Sequence, residues 1–176
     1  MDPAKAERIK ALEVALTNEL RERDFYLKHA VRTTNPLGRL MFETLANDES
    51  EHYQRILKLH KTLQEEGKWP DTIPLTVKET EVRSILRKML ESVENLPAED
   101  RDDVEAIKIA VDFESKGVQF YEKLRENVDD PREKAFFGML ASIEREHFLS
   151  LQGVFEFFQD PAAWYRLKEK PHVDGG

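Results

Sequence analysis

Apolar residues recur at three- and four-residue intervals along almost the whole chain, with charged residues between them. That is the period of an amphipathic helix rather than of a strand. Leu12, Ala15, Leu16, Phe25 and Tyr26 carry the first stripe, and the pattern predicts a helix over about 4–33. Asn35-Pro36 interrupts it and opens the next, because Asn is a favoured N-cap and Pro is preorganised for the first helical position. The second helix is expected over 36–66, through Leu40, Met41, Leu45, Ile56, Leu59 and Leu63. Gly67 then suits the left-handed residue that ends many helices. Residues 67–77 contain Pro70 and Pro74 and read as an extended connector. A short helix is expected over about 78–95, closed by Leu96-Pro97, and a third long helix over about 98–128. Asp130-Pro131 repeats the Asn-Pro logic and opens a fourth over 131–158, followed by an irregular tail over 161–176.

Tight turns inside each pair and one long connection between the pairs predict an all-α fold. Residues 1–160 should form a four-helix bundle with one long crossover, the ferritin-like topology. An internal repeat sharpens this reading. Shifting the chain by 95 residues aligns 11–57 with 106–152 without a gap, with 13 identities in 47 positions, where average composition gives roughly three. Ala11, Ala15, Glu19, Phe25, Tyr26, Lys28 and Pro36 match Ala106, Ala110, Glu114, Phe120, Tyr121, Lys123 and Pro131. Phe42, Leu45, Ala46, Glu49, Glu51 and His52 match Phe137, Leu140, Ala141, Glu144, Glu146 and His147. The bundle is therefore expected to consist of two helical hairpins related by a pseudo-two-fold axis.

Core packing accounts for the repeated Ala, Leu and Phe, but not for the repeated Glu19, Glu49 and His52 beside the apolar stripe, where charge is costly. Glu49 and His52 are three residues apart and share one helical face, as do Glu144 and His147. Glu19 and Glu114 lie one helix earlier, and antiparallel packing brings all six to one level of the bundle. The set is four carboxylates and two imidazoles, one Glu from each of two helices and Glu-x-x-His from each of the others, as in di-iron carboxylate bundles. Four buried carboxylates demand compensation, and two divalent cations supply it. Oxygen ligands mixed with imidazole suit iron or manganese, so two iron ions per chain are expected, with manganese or a mixed pair as the variant. Tyr26 and Tyr121 each follow their Glu by seven residues and return to nearly the same face. They are either hydrogen-bond donors to the ligand carboxylates across the bundle or core aromatics with a polar handle.

The doubled pattern Ala-x3-Glu-x5-Phe-Tyr, Asn/Asp-Pro, Leu-Ala-x2-Glu-x-Glu-His resembles the rubrerythrin-like branch of the ferritin-like superfamily, over about 10–66 and 98–158. The resemblance implies a non-haem di-iron centre held by Glu19, Glu49, His52, Glu114, Glu144 and His147. It also implies an oxidoreductase in which the metal pair reduces hydrogen peroxide. Rubrerythrins usually carry a second Glu three residues after the third-helix ligand, and here that position is Gly117. Its counterpart in the repeat is Glu22, which is either an extra ligand supplied from the first helix or one more charge in the run Arg21-Glu22-Arg23-Asp24. Gly117 would then leave room opposite for that carboxylate or for an oxidant.

The chain has no cysteine, which excludes disulfides and a rubredoxin-type iron–sulfur module within it, so a separate electron-donor protein is expected. Its formal charge of −8 disfavours nucleic-acid partners. No run of some 18 apolar residues is present to cross a bilayer, and a cytoplasmic homodimer is expected. His29, His60 and His172 are expected at the surface or in the tail. Glu51 and Glu146 are expected to face solvent or a neighbouring helix, and Trp69, Trp164 and Tyr165 to cover apolar surface. The functional expectation is reaction with peroxide or oxygen. Ferroxidation or iron handling, or a non-enzymatic metal-bound structural or sensing bundle, are the competing readings.

Overall fold

The computed structural model describes residues 3–70 and 101–160. Four helices run over Pro3–Arg32 (α1), Pro36–Glu66 (α2), Arg101–Glu126 (α3) and Pro131–Gln159 (α4). The expected short helix over 78–95 and the tail lie outside the described residues.

The helix ends follow the local chemistry. Asn35 Oδ1 accepts from Gly38 N–H at 3.2 Å and its carbonyl accepts from Arg39 N–H, capping α2. Asp130 Oδ1 accepts from Arg132 N–H at 2.8 Å at the head of α4. Gly67 has φ 69°, and its N–H donates to Leu63 O, the left-handed stop that glycine adopts without a Cβ penalty. α3 stops two residues before the expected end: Asn127 N–H is shared between Lys123 O and Leu124 O, which tightens the last turn ahead of the Asp130-Pro131 cap.

Short connections over 33–35 and 127–130 fold the helices into two antiparallel hairpins, α1/α2 and α3/α4. Lys5 near the start of α1 donates to Gln64 O near the end of α2. Ties between the hairpins sit at both ends. Thr33 Oγ1 donates to Asp103 Oδ2 at 2.5 Å, and Arg8 Nε lies 3.3 Å from a carboxylate oxygen of Glu133.

The core divides into two apolar clusters, each built from both hairpins. One contains Leu12, Ala15, Ile56, Leu59, Tyr121, Phe137, Leu140 and Ala141. The other contains Ala110, Ile107, Leu151, Val154, Tyr26, Phe42, Leu45 and Ala46. Adding 95 to the α1 and α2 residues of the first, or subtracting it from the α3 and α4 residues, gives the second. The pseudo-two-fold thus exchanges the two clusters, and a polar layer of helix-borne carboxylates lies where they meet. Trp69 closes one end, edge-on to Phe136 with ring centroids 5.6 Å apart. A cavity of about 560 Å³ opens there between Arg8, Leu12, Trp69, Val128 and Glu133.

Replacing Asn35 with Ala removes a buried cap and leaves the Gly38 N–H without that acceptor. We expect denaturant unfolding to show a loss of about 1–2 kcal/mol. An unchanged midpoint and slope would show that the cap contributes nothing.

Candidate metal centre

Each helix contributes to the polar layer from its middle, where the ends cannot fray. Glu19 lies on α1, Glu49 and His52 on α2, Glu114 on α3, and Glu144 and His147 on α4; none is more than 1% exposed. The three-residue spacing in α2 and in α4 stacks each Glu and His on one inward face. The side chains form two groups of four, Glu19–Glu49–His52–Glu144 and Glu49–Glu114–Glu144–His147. Within each group one ligand atom from every residue lies within 4.8 Å of the others. Glu49 and Glu144 belong to both groups, as two bridging carboxylates would.

The donor set fits a pair of cations better than it fits hydrogen bonding. His52 Nδ1 stands 3.1 Å from Glu19 Oε2, 2.8 Å from Glu49 Oε2 and 3.5 Å from Glu144 Oε1; one N–H cannot satisfy three carboxylates. His147 Nδ1 stands 3.4 Å from Glu49 Oε1 and 3.5 Å from Glu114 Oε2, wider than an N–H···O bond prefers. Octahedral coordination at about 2.1 Å places adjacent ligand atoms about 3 Å apart, close to these separations. His147 Nδ1, Glu49 Oε1, Glu114 Oε2 and both Glu144 oxygens make no hydrogen bond despite full burial. Such orphaned buried acceptors call for an unseen partner.

Tyr26 OH donates to Glu114 Oε1, and Tyr121 OH donates to Glu19 Oε1. Each phenol thus reaches the other hairpin and takes up one oxygen of a glutamate that belongs to a single group. Burial, then the surrounding carboxylates, pushes both phenol pKa values well above the usual 10, so both keep the proton they donate.

Glu22 is buried rather than exposed with its charged neighbours; its nearest cation is Arg21, at 3.6 Å. It belongs to neither group of four. The room expected over Gly117 is filled: a Cβ there would sit 3.1 Å from Glu144 Oε2. With only a hydrogen at that position, α3 lets the Glu144 carboxylate lie against its backbone. The expectation of open space for Glu22 or an oxidant is therefore corrected.

Two surface assignments also change. His29 is buried, with its ring 4.3 Å from that of Phe25 and 5.7 Å from that of Phe42, because four residues along α1 from Phe25 returns it to the aromatic face. His60 is half-buried, 3.4 Å from Glu13. His172 lies outside the described residues. Glu51 pairs with Arg55 at 3.2 Å, and Glu146 is exposed. Asp48, which the spacing argument did not single out, approaches His147 Nε2 at 3.1 Å from the opposite hairpin. It precedes Glu49 by one residue and so points about 100° away from it.

Without cations the layer must hold protons. Burial raises Glu19 from the usual 4.5 to about 7 against the opposing pull of His52, and burial with Glu114, Glu49 and Glu19 around it raises Glu22 to about 10. Burial would lower His52, but Glu49 and Glu19 outweigh it and raise the imidazole from 6.5 to about 10. Burial would raise Glu49, but His52 and His147 outweigh it and hold this carboxyl well below its usual value. The first three groups bind protons in the folded metal-free protein that the unfolded chain has released, so their contribution to stability falls as pH rises from about 5 towards 10. Glu49 acts oppositely, but only below its usual 4.5. Cations replace those protons. The gap in melting temperature between metal-loaded and chelated protein should therefore widen from pH 5.5 to pH 8.5, as read by thermal unfolding. A gap that is absent, or that narrows over this range, contradicts the buried cluster.

No helix among the described residues is long and apolar enough to cross a membrane. No curated protein and no solved structure matches the chain. A family model described as rubrerythrin matches residues 10–154, a span that takes in all six convergent residues and both tyrosines. With its four-helix, ferritin-like architecture and its repeated Glu/His cluster, this chain belongs to the rubrerythrin family.

Proposed function

We propose that the chain is a non-haem di-iron oxidoreductase that reduces hydrogen peroxide, or oxygen, with electrons from a separate donor protein. The observation that carries this is the pair of four-residue groups sharing Glu49 and Glu144. Glu19, Glu49, His52 and Glu144 would hold one ion, and Glu49, Glu114, Glu144 and His147 the other. When bound, a ferrous pair supplies the two electrons that, with two protons, turn one peroxide into two waters.

The protein's part is enclosure, charge and aim. The almost complete burial of the six donors favours a small oxidant over a bulky organic substrate. Four ligand carboxylates balance two divalent cations, so oxidation leaves positive charge uncompensated. Glu22, buried beside the layer and outside both groups, is the carboxyl placed to compensate it. Tyr26 and Tyr121 lock the orientations of Glu114 and Glu19 through hydrogen bonds that span the two hairpins, which keeps the cage in shape as its charge changes. The chain has no cysteine to build an iron–sulfur relay, which supports a donor in trans.

Anaerobically reduced, iron-loaded protein should consume about one peroxide per pair of irons, and should turn over when a chemical reductant is supplied. Peroxide loss no faster than in the metal-free control would remove the peroxidase reading. In the same assay Glu22→Gln should keep its iron content but react roughly tenfold or more slowly. A wild-type rate would assign Glu22 no part in the reaction.

A further inference from the structure

The internal repeat makes the two groups of four equivalent, but the residues behind them are not. His147 presents Nδ1 to Glu49 and Glu114, while its Nε2 lies 3.1 Å from Asp48 Oδ2. The Asp48 carboxylate is partly buried, with 18% of its side chain exposed. The repeat places the counterpart of Asp48 at position 143, four residues before His147, and that residue is Ile143, buried in an apolar cluster. Ile143 offers His52 no acceptor.

A second difference lies beside the layer. Glu22 is buried there and belongs to neither group. Its counterpart on α3 is Gly117, where the Glu144 carboxylate lies against the backbone and an added Cβ would crowd it at 3.1 Å. Asp48 therefore accompanies the His147 group alone, and neither Asp48 nor Glu22 has a carboxylate at its counterpart in the repeat.

The Asp48 contact fixes more than charge. A neutral imidazole that donates Nε2–H to a carboxylate carries its lone pair on Nδ1, which here faces the cage. Asp48 thus holds the His147 ring with Nδ1 aimed into the cage and fixes the ligating tautomer once an ion displaces the Nδ1 proton, whereas among the described residues α4 supplies no such side chain to His52. We propose that Asp48 is a positioning residue that makes the Glu49–Glu114–Glu144–His147 position the tighter of the two. The chain then loads divalent metal in two steps, the His147 position first and the His52 position second. This rests on the reading of the cluster as a dimetal centre.

Calorimetric titration of metal-free protein with Co(II), with the visible absorption of each step, tests it. Wild type should bind in two resolved steps. Asp48→Asn preserves shape and should weaken the first step by about 10- to 100-fold while leaving the second in place. His52→Ala should keep one ion at the tight affinity, whereas His147→Ala should lose the tight step. A purely structural Asp48–His147 contact would lower the melting temperature in Asp48→Asn without moving the first step, and that result overturns the proposal. So do two equal steps in wild type, or equal weakening of both steps in Asp48→Asn; either leaves the dimetal reading standing. Failure of wild type to bind Co(II) at all overturns both.

Discussion

Negative charge buried between two apolar clusters is the constraint on which the rest of this structure depends. Glu19, Glu49, Glu114 and Glu144 lie in one layer with two imidazoles and almost no solvent, and Glu22 is buried as well. A carboxylate taken out of water costs several kcal/mol even after the protein relaxes around it. Ion pairs with surface cations do little to relieve this layer: among the described residues, Arg21, at 3.6 Å from Glu22, is the one Lys or Arg that pairs with any of these five glutamates. The metal-free layer can persist only by sharing protons, and burial raises the pKa values of Glu19 and Glu22 while the facing carboxylates raise that of His52. A layer built this way is costly to maintain for any purpose other than holding cations.

The repeat explains how a short chain assembles such a layer. Each hairpin supplies one Glu from its first helix and a Glu-x-x-His face from its second, and each hairpin's tyrosine donates to the other's glutamate. The same operation that exchanges the ligating residues exchanges the apolar clusters above and below them. Burial on both sides is thus a consequence of symmetry rather than of separate packing solutions. Two departures from the repeat, Glu22 against Gly117 and Asp48 against Ile143, bear on the polar layer. They are where the two halves have become different in chemistry while remaining alike in fold.

Much of this was legible in the sequence because its signals are local and periodic. Asn35-Pro36, Asp130-Pro131 and Gly67 mark helix ends through their own backbone chemistry, and the structure places the ends there. The convergence of the six donors followed from three-residue spacing and the 95-residue shift. What escaped depends on contacts between helices. The burial of Glu22 was hidden by charged neighbours that point elsewhere on the helix. His29 was read as a surface residue, but it packs on Phe25 and Phe42. Gly117 was read as open space, but the Glu144 side chain fills it from another helix. Asp48 sits off the Glu49 face and meets His147 only across the bundle; the one available signal was a carboxylate at position 48 beside a repeated Glu, where its counterpart is Ile143.

Anomalous diffraction from crystals of the iron-loaded protein tests the central claim most directly. The account predicts two anomalous peaks inside the layer, one within bonding distance of Glu19 and His52, the other of Glu114 and His147, with Glu49 and Glu144 between them. Density for iron at the surface only, or an empty layer in protein shown to be iron-replete, would contradict it.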